Sequence, residues 1–201
     1  MKKLLSMAVL IFVVGTCFSL PVMAGEATDD VLTTIDEAVK QYRLGDYAGA
    51  ASNLDYASQL VRQKKSERMK ELLPGPLEGW QAKPASAQTL GTAVFGGGVT
   101  VSRDYNKADQ LVSIEIVSDS PVLQSVMMML NNPMFAGASG GTLTTIKGQR
   151  SIMKFDDKAR KGEVDIVVAN RFMVTVKGQN VDKDVLKSYA AAIDFVALAK
   201  N

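Results

Sequence analysis

The sequence predicts an α+β protein, with an N-terminal α-helical hairpin followed by a mostly antiparallel sheet of about six strands covered by helices. Between residues 25 and 73, apolar residues recur with the 3.6-residue period of a helix. From about residue 90, apolar residues alternate with polar ones in short runs separated by turn residues, which is the pattern of strands. A helical segment followed by many short strands indicates an α+β fold.

Residues 1–24 have the three parts of a secretory signal peptide. Lys2 and Lys3 supply the positive start, residues 4–20 are almost wholly apolar, and Ala24 ends a small-residue cleavage site. The apolar run has about 17 residues, near the lower limit for spanning a bilayer, so a retained membrane anchor is only the alternative. We therefore expect cleavage after Ala24 and a periplasmic protein with no stable transmembrane segment.

Removal of this leader changes the chemistry of the chain. It takes away the only cysteine, Cys17, so no disulfide can form and stability must come from the apolar core. A lipoprotein attached through Cys17 is an alternative, although Thr16 is bulky for the residue before a lipidated cysteine. The chain also loses two of its 23 basic residues and keeps 21 acidic ones, so it becomes formally neutral. A neutral chain offers no overall attraction to nucleic acid, which is not an expected partner.

Two helices are expected within residues 25–73. Gly45 ends the first helix, and Asp46 is a suitable N-cap for the second. We expect the apolar side of each helix to be buried. These sides carry Val31, Leu32, Ile35, Ala38, Val39 and Tyr42 on the first helix, and Tyr47, Ala50, Leu54, Ala57, Leu60, Val61, Met69 and Leu72 on the second.

The turn and the second helix resemble one unit of a tetratricopeptide repeat. The residues that carry this resemblance are Gly45, Asp46, Tyr47, Ala50, Leu54 and Ala57. Arg62 stands near the position where such a unit usually has its closing proline. Stacked repeats need at least three units and only one is visible, so the resemblance implies a way of packing two helices rather than a peptide-binding array.

Residues 74–89 are predicted to form a linker. Two prolines and two glycines between Leu73 and Trp80 prevent the helix from continuing. Trp80 is the only tryptophan, and we expect it to anchor the linker to the following domain. A solvent-facing role in recognition is the alternative for this residue.

Residues 90–201 are predicted to form the α+β domain. The expected strands lie near residues 99–105, 112–116, 143–146, 151–155, 164–169 and 172–176. A helix starting at Ser120 and Pro121 is inserted after the second strand, and a glycine-rich loop, Gly137–Gly141, follows it. A final helix begins at Asp182, with apolar residues on both sides of its first turn.

This order of elements, closed by the apolar strand Phe172–Val176 and a helix, resembles the PsbP/Mog1-type sandwich. It is also similar to small domains of exported bacterial lipoproteins. The resemblance covers about 110 residues and rests on element order and hydrophobic pattern. It implies a sandwich fold and a role in binding or assembly rather than catalysis, and it assigns no functional residue.

The residue types that are missing limit the possible chemistry. The sequence has no histidine, and its one cysteine lies in the leader, which excludes Ser-His-Asp and Cys-His sites and the usual zinc or haem ligands. We therefore predict no catalytic residue, no metal site and no cofactor. The acidic candidates Asp156, Asp157, Glu163 and Asp165 are interspersed with basic residues, which indicates a solvated hairpin tip rather than a calcium site. The glycine run Gly96–Gly98 precedes a strand, whereas a phosphate-binding loop precedes a helix.

A run of methionines is the most unusual feature of the sequence. Three consecutive helix residues are about 100° apart and cannot share one narrow buried stripe. We therefore predict a surface here that binds a protein partner or a small apolar ligand of the cell envelope. The predicted contact residues are Met127, Met128, Met129, Met134, Phe135, Gly137, Gly140 and Gly141. Soft filling of the core and copper(I) binding by thioethers are the alternatives.

Together these observations predict an exported, non-catalytic binding protein. Two competing classes stay open. A carrier of a lipid or small apolar ligand would need a continuous apolar cavity between the sheet and the methionine-bearing helix. A hydrolase using carboxylate or hydroxyl groups would need several such groups converging in one pocket.

Overall fold

The computed structural model describes residues 29–89, 98–119, 122–138 and 140–201. The predicted signal peptide with Cys17, the helix start at Ser120 and Pro121, and most of the glycine run 96–98 lie outside the described residues. The part of the chain that is described combines a helical hairpin with an antiparallel sheet. The predicted fold class is therefore confirmed.

Helices α1 (Asp30–Arg43) and α2 (Tyr47–Glu71) form the hairpin. Asp29 and Asp46 cap them, because each carboxylate accepts a hydrogen bond from a backbone N–H in the first turn. Gly45, between the helices, has φ of +84°, a left-handed conformation that glycine adopts without strain. Local chemistry of the kind visible in the sequence therefore sets the hairpin turn and both helix starts.

Within the described residues, eight strands form one sheet in which every neighbouring pair is antiparallel. The strands are β1 (Gln81–Ala82), β2 (Ser86–Thr89), β3 (Val99–Lys107), β4 (Gln110–Ser118), β5 (Thr142–Ile146), β6 (Gln149–Asp156), β7 (Lys161–Val168) and β8 (Phe172–Gln179). Their order is β1–β3–β4–β8–β7–β6–β5, and β2 pairs with β3 on the same side as β1. The meander β5 to β8 thus returns the chain to the middle of the sheet, next to β4.

The sheet is larger than the six strands predicted because the segment 74–89 is not only a linker. It contains β1 and β2, which pair with the outer edge of β3. These strands are short and largely polar, so no apolar alternation reveals them in the sequence. Their pairing satisfies backbone groups that β3 would otherwise expose at the edge of the sheet.

The described part of the chain has four further helices: α3 (Val122–Asn131), α4 (Pro133–Ala138), α5 (Lys183–Ala192) and α6 (Phe195–Ala199). The first two lie in the connection from β4 to β5, and the last two follow β8. Alternate strand residues point to opposite sides of the sheet, so each side can hold its own core. The larger core packs strand residues against α5, α6 and the end of α2, and the smaller core packs the other side against α3.

The end of α2 belongs to the larger core. Met69 and Leu73 are buried there, next to strand residues. Trp80 is also buried, and its ring meets that of Tyr189 edge-on with the centroids 5.3 Å apart. The hydroxyl of Tyr105 on β3 donates a hydrogen bond to the carbonyl oxygen of Pro74 at 2.7 Å. The anchoring role predicted for Trp80 is thus confirmed, and the segment after α2 is fixed to the sheet.

Candidate functional site

Helix α3 places the methionine run on the smaller core. Leu123, Val126 and Leu130 are its buried residues, and they pack against Ile152 and Val167 of the sheet. The residues predicted to form the contact region are distributed around this anchored side. Met127 and Met129 lie partly buried on its flanks, whereas 65% of Met128 is exposed. The run thus supplies both core filling and exposed surface.

Helix α4 follows directly and carries the next predicted residues. Met134 is 78% exposed, and its backbone N–H donates a hydrogen bond to the side-chain oxygen of Asn132 at 3.1 Å. Phe135 lies in the same helix. Its side chain is not among the described parts of the structure, so the contact predicted for it stays a prediction. We call Met127, Met128, Met129 and Met134 the methionine surface.

The glycine-rich loop is shorter than predicted. Gly137 is not part of a loop, because the helix that begins at Pro133 continues through it to Ala138. Gly140 is in a turn with φ of +74°, and its N–H donates to the carbonyl oxygen of Gly137 at 2.9 Å. Gly141 then leads into β5. These residues connect the methionine surface to the edge of the sheet.

A groove of about 290 Å³ lies beside α3. Met127, Leu130 and Val167 supply its apolar part. The guanidinium group of Arg150 donates hydrogen bonds to the carbonyl oxygen of Leu130 and, at 3.2 Å, to the side chain of Asn131. These bonds hold the end of α3 against β6, so the groove has a fixed wall with a polar rim.

A larger concave region, of about 610 Å³, lies over β6, β7 and β8 beside Gly140. Its lining is charged: Lys154, Lys161 and Lys177 stand among acidic residues. The ammonium group of Lys154 lies 3.1 Å from the carboxylate of Glu163, so part of this charge is paired. Phe155 and Ala159 add apolar surface between these charged groups, so the lining is mixed, whereas a carrier of a lipid or apolar ligand would need a continuous apolar cavity.

Asp165 is the carboxylate with the most unusual environment. It lies on β7 opposite Thr175 of β8, whose hydroxyl donates a hydrogen bond to it at 2.8 Å. Burial raises the pKa of Asp165 above its ordinary value, although the Thr175 hydrogen bond acts in the opposite direction. Sequence alternation alone could have shown that Asp165 shares a sheet side with Glu163. Its burial depends on the neighbouring strand and could not be predicted.

Two of the other acidic candidates, Asp156 and Glu163, have structural partners. Asp156 accepts hydrogen bonds from two backbone N–H groups of the turn between β6 and β7, at 2.9 and 3.1 Å. Glu163 pairs with Lys154. In the described parts of the chain, no three potential ligands among His, Cys, Asp and Glu side chains come together. The acidic residues of this hairpin stabilise its turn and its strand pairing.

The hairpin carries a second apolar surface that the sequence prediction assigned to the core. On α1, Val31 and Ala38 are buried, while Leu32, Val39 and Tyr42 are exposed. On α2, Ala50 and Ala57 are buried, and three of the larger side chains predicted to be buried are exposed instead. These three are Tyr47, Leu54 and Val61. The expected burial is thus wrong for these large side chains, because the helices meet mainly through small residues and nothing in the described structure covers the large ones.

These large side chains form one surface. The rings of Tyr42 and Tyr47 meet edge-on with their centroids 5.5 Å apart, so the apolar stripes of α1 and α2 join on one side of the hairpin. We call this surface the hairpin face. Its residues are Leu32, Ile35, Val39, Tyr42, Tyr47, Leu54 and Val61.

The fold and these two surfaces define an α+β protein with apolar contact regions on different elements. Among the described residues, no helix has both the length and the hydrophobicity required to span a membrane. No protein-family model, no curated protein and no solved structure matches this chain. The resemblances to the PsbP/Mog1-type sandwich and to a tetratricopeptide unit therefore stay predictions.

Proposed function

We propose that this chain is an exported, non-catalytic binding protein that contacts a protein partner of the cell envelope through the methionine surface. The observation that carries the proposal is the exposure of Met128 and Met134, at 65% and 78%, beside a groove whose apolar part includes Met127. Flexible, polarizable methionine side chains adapt to the shape of a partner and are common on binding surfaces.

The size of the groove favours a protein partner over a lipid. About 290 Å³ is at the lower end of the range for small-molecule pockets, which runs from roughly 300 to 1,000 Å³. Such a groove accommodates one or two side chains of a partner. The rim formed by Asn131, Gln149 and Arg150 supplies hydrogen-bonding groups, as in protein interfaces with an apolar centre and a polar edge.

The lining of the groove also favours binding over hydrolysis. Its residues include no carboxylate and no hydroxyl group. Asp165, the carboxylate whose pKa is raised, lies on β7 with a single hydroxyl partner, that of Thr175. General acid–base hydrolysis needs at least two such groups arranged around one substrate bond.

The proposal is tested by photocrosslinking in an intact Gram-negative host that expresses the full chain. A photoreactive phenylalanine analogue replaces Met128 in one variant and Met134 in another. We expect both to give the same discrete adduct with an envelope protein, and we expect the uncrosslinked chain to have the mass of a protein that starts at Gly25.

Val196 is the matched control, because it is 66% exposed and lies on α6 rather than on α3 or α4. The analogue at Val196 should give no such adduct. An equal adduct from position 196 would show that exposure alone explains the crosslink and would contradict the proposal. A mass that includes a lipid on Cys17 would show that the chain is a lipoprotein and would contradict the proposal of a free periplasmic protein.

A further inference from the structure

We infer that the hairpin face binds the hairpin face of a second copy of this chain, so that two hairpins form a four-helix bundle. This inference concerns a different surface from the methionine surface and does not depend on it. It begins from the six most exposed side chains of the hairpin face, whose exposure ranges from 42% for Val39 to 66% for Tyr47. Such groups gain the most from leaving water.

The area of the hairpin face is sufficient for a dimer. Its six most exposed large side chains leave on the order of 600 Å² in water, at the upper end of what a soluble monomer shows as its largest apolar patch. A typical stable interface buries about 800 Å² on each partner, including a polar rim. The apolar centre of an interface of ordinary size is therefore already present.

The spacing of the residues fits the packing of parallel or antiparallel helices. On α1, the residues Leu32, Ile35, Val39 and Tyr42 are separated by three, four and three positions. This alternation keeps the stripe on one side over three turns and is the repeat by which helices pack in bundles. The hairpin thus has the residue pattern of half a four-helix bundle.

On the second helix, large and small side chains alternate along the hairpin face. Tyr47, Leu54 and Val61 are separated by seven positions, and the small residues Ala51 and Ser58 lie between them with the same three-and-four alternation. Both small residues are exposed. A face that alternates large and small residues can receive its own large residues when a two-fold axis brings a second copy against it.

The charges at the borders of the face favour a second copy over a strongly charged partner. Asp36 and Arg43 lie seven positions apart along the outer border of α1, and Asp55 and Arg62 lie seven positions apart along that of α2. Each border therefore has one charge of each sign and no net charge. Two copies therefore do not repel each other through these borders. A partner with a large net charge of either sign would gain no electrostatic attraction from them.

The sheet holds the hairpin in place for this contact. The end of α2 is fixed in the larger core through Met69 and Leu73, whereas α1 packs against α2 as its main partner. The hairpin face is therefore presented on a helix pair with a rigid base. Little further ordering is needed on association, which lowers the entropic cost of binding.

Sedimentation velocity of the full chain, expressed with its own leader and purified, tests the inference over about 1 to 100 μM, the range in which interfaces of this size associate. We expect a dimer at the upper concentrations. Leu54→Asp should make the protein monomeric, or weaken association at least about 100-fold, because it buries a charge at the centre of the apolar face.

Tyr56→Asp is the matched control. Tyr56 is 54% exposed and Leu54 is 53% exposed, but two positions along a helix turn the side chain by about 200°, to the opposite side of α2. This variant should stay dimeric. Val39→Asp, on the other helix, should behave as Leu54→Asp does, and far-UV circular dichroism should show unchanged helix content in all three variants.

Three results would overturn the inference. One is a wild-type chain that is monomeric throughout the concentration range. Another is a dimer that resists both Leu54→Asp and Val39→Asp, as association through the leader would. The third is a dimer lost equally with Tyr56→Asp. Photocrosslinking at Met128 is independent of all three, so failure of the dimer and failure of the proposed function are distinguishable.

Discussion

The hairpin and the sheet use apolar residues in opposite ways. In the sheet, large side chains such as Phe172, Ile114 and Ile166 are buried, and the exposed positions are mostly polar. In the hairpin, most buried positions along the contact between α1 and α2 hold small residues such as Ala38 and Ala57, and most of the large apolar side chains before the end of α2 face solvent. Both regions have clear apolar periodicity, yet only one of them buries it inside the chain.

This difference shows what hydrophobic periodicity measures. It identifies the side of an element that prefers to leave water, but not the molecule that covers this side. In the sheet, neighbouring strands and three helices provide that cover. In the hairpin, the small contact between α1 and α2 leaves most of the apolar area without a partner among the described residues.

The comparison is tested most strongly by truncating one large residue in each setting. Ile114→Ala removes a buried side chain of β4 from the larger core and should lower the free energy of unfolding by about 2–5 kcal/mol. Leu54→Ala removes an exposed side chain, and at concentrations where the chain is monomeric it should change that free energy by no more than about 0.5 kcal/mol. Urea denaturation measures both values.

If the two truncations cost the same in dilute solution, Leu54 would have to be buried within one chain. The comparison between the hairpin and the sheet would then fail. Leu54→Ala could instead lower the free energy of unfolding only at higher protein concentration. That result would support the comparison, because a dimer stabilises the folded chain by mass action.

A smaller effect is expected from the starts of the helices. Asp29→Ala removes a side-chain cap bond to the N–H of Val31 and should lower stability by more than Asp182→Ala does. Asp182→Ala should cost a few tenths of a kcal/mol at most, because Asp182 makes no cap bond and its pair with Arg160 is exposed. Buried Val181 and Leu186 hold the start of α5 instead. Urea midpoints of the two variants check this order, and equal losses would contradict it.

The smallest effect is a difference in pH dependence between two carboxylates. Burial raises the pKa of Asp165 above the ordinary value of 3.8, so the folded state loses stability as pH rises through that raised pKa. The hydrogen bond from Lys64 lowers the pKa of Asp29, so its contribution is present above the ordinary value and is lost as pH falls through the lowered pKa. The two regions therefore contribute slopes of opposite sign.

Asp165→Asn isolates the contribution of the sheet, because the amide oxygen still accepts the hydrogen bond from Thr175. Urea midpoints measured from about pH 3 to pH 7 should show that the variant gains on the wild type as pH rises above the ordinary carboxyl range. Parallel curves for the two proteins would mean that Asp165 has the same pKa in the folded and unfolded states.

Part of the candidate site follows from the sequence. Three consecutive methionines on a helix must spread around it, and Met128 is indeed exposed while Met127 and Met129 flank the buried side. The groove beside them could not be predicted. Its opposite wall comes from Arg150 and Val167, on strands that only the order of the sheet brings next to α3.

The hairpin face gives the opposite case. Its residues and their spacing were visible in the sequence, but their exposure was not, because small residues at Ala38, Ala50 and Ala57 already satisfy the contact between the two helices. Likewise, β1 and β2 exist because the edge of β3 is open to pairing. Their own residues give little sign of a strand.

The sequence by itself determined the class of fold, the starts of the hairpin helices and the buried sides of the central strands. These features depend on period, caps and turns, which act between residues a few positions apart. The tertiary structure alone decided which apolar surfaces stay in solvent, where the grooves lie and why Asp165 has a raised pKa. Those properties depend on which distant segments pack together, and packing can cover or expose the same residue without any change in its local pattern.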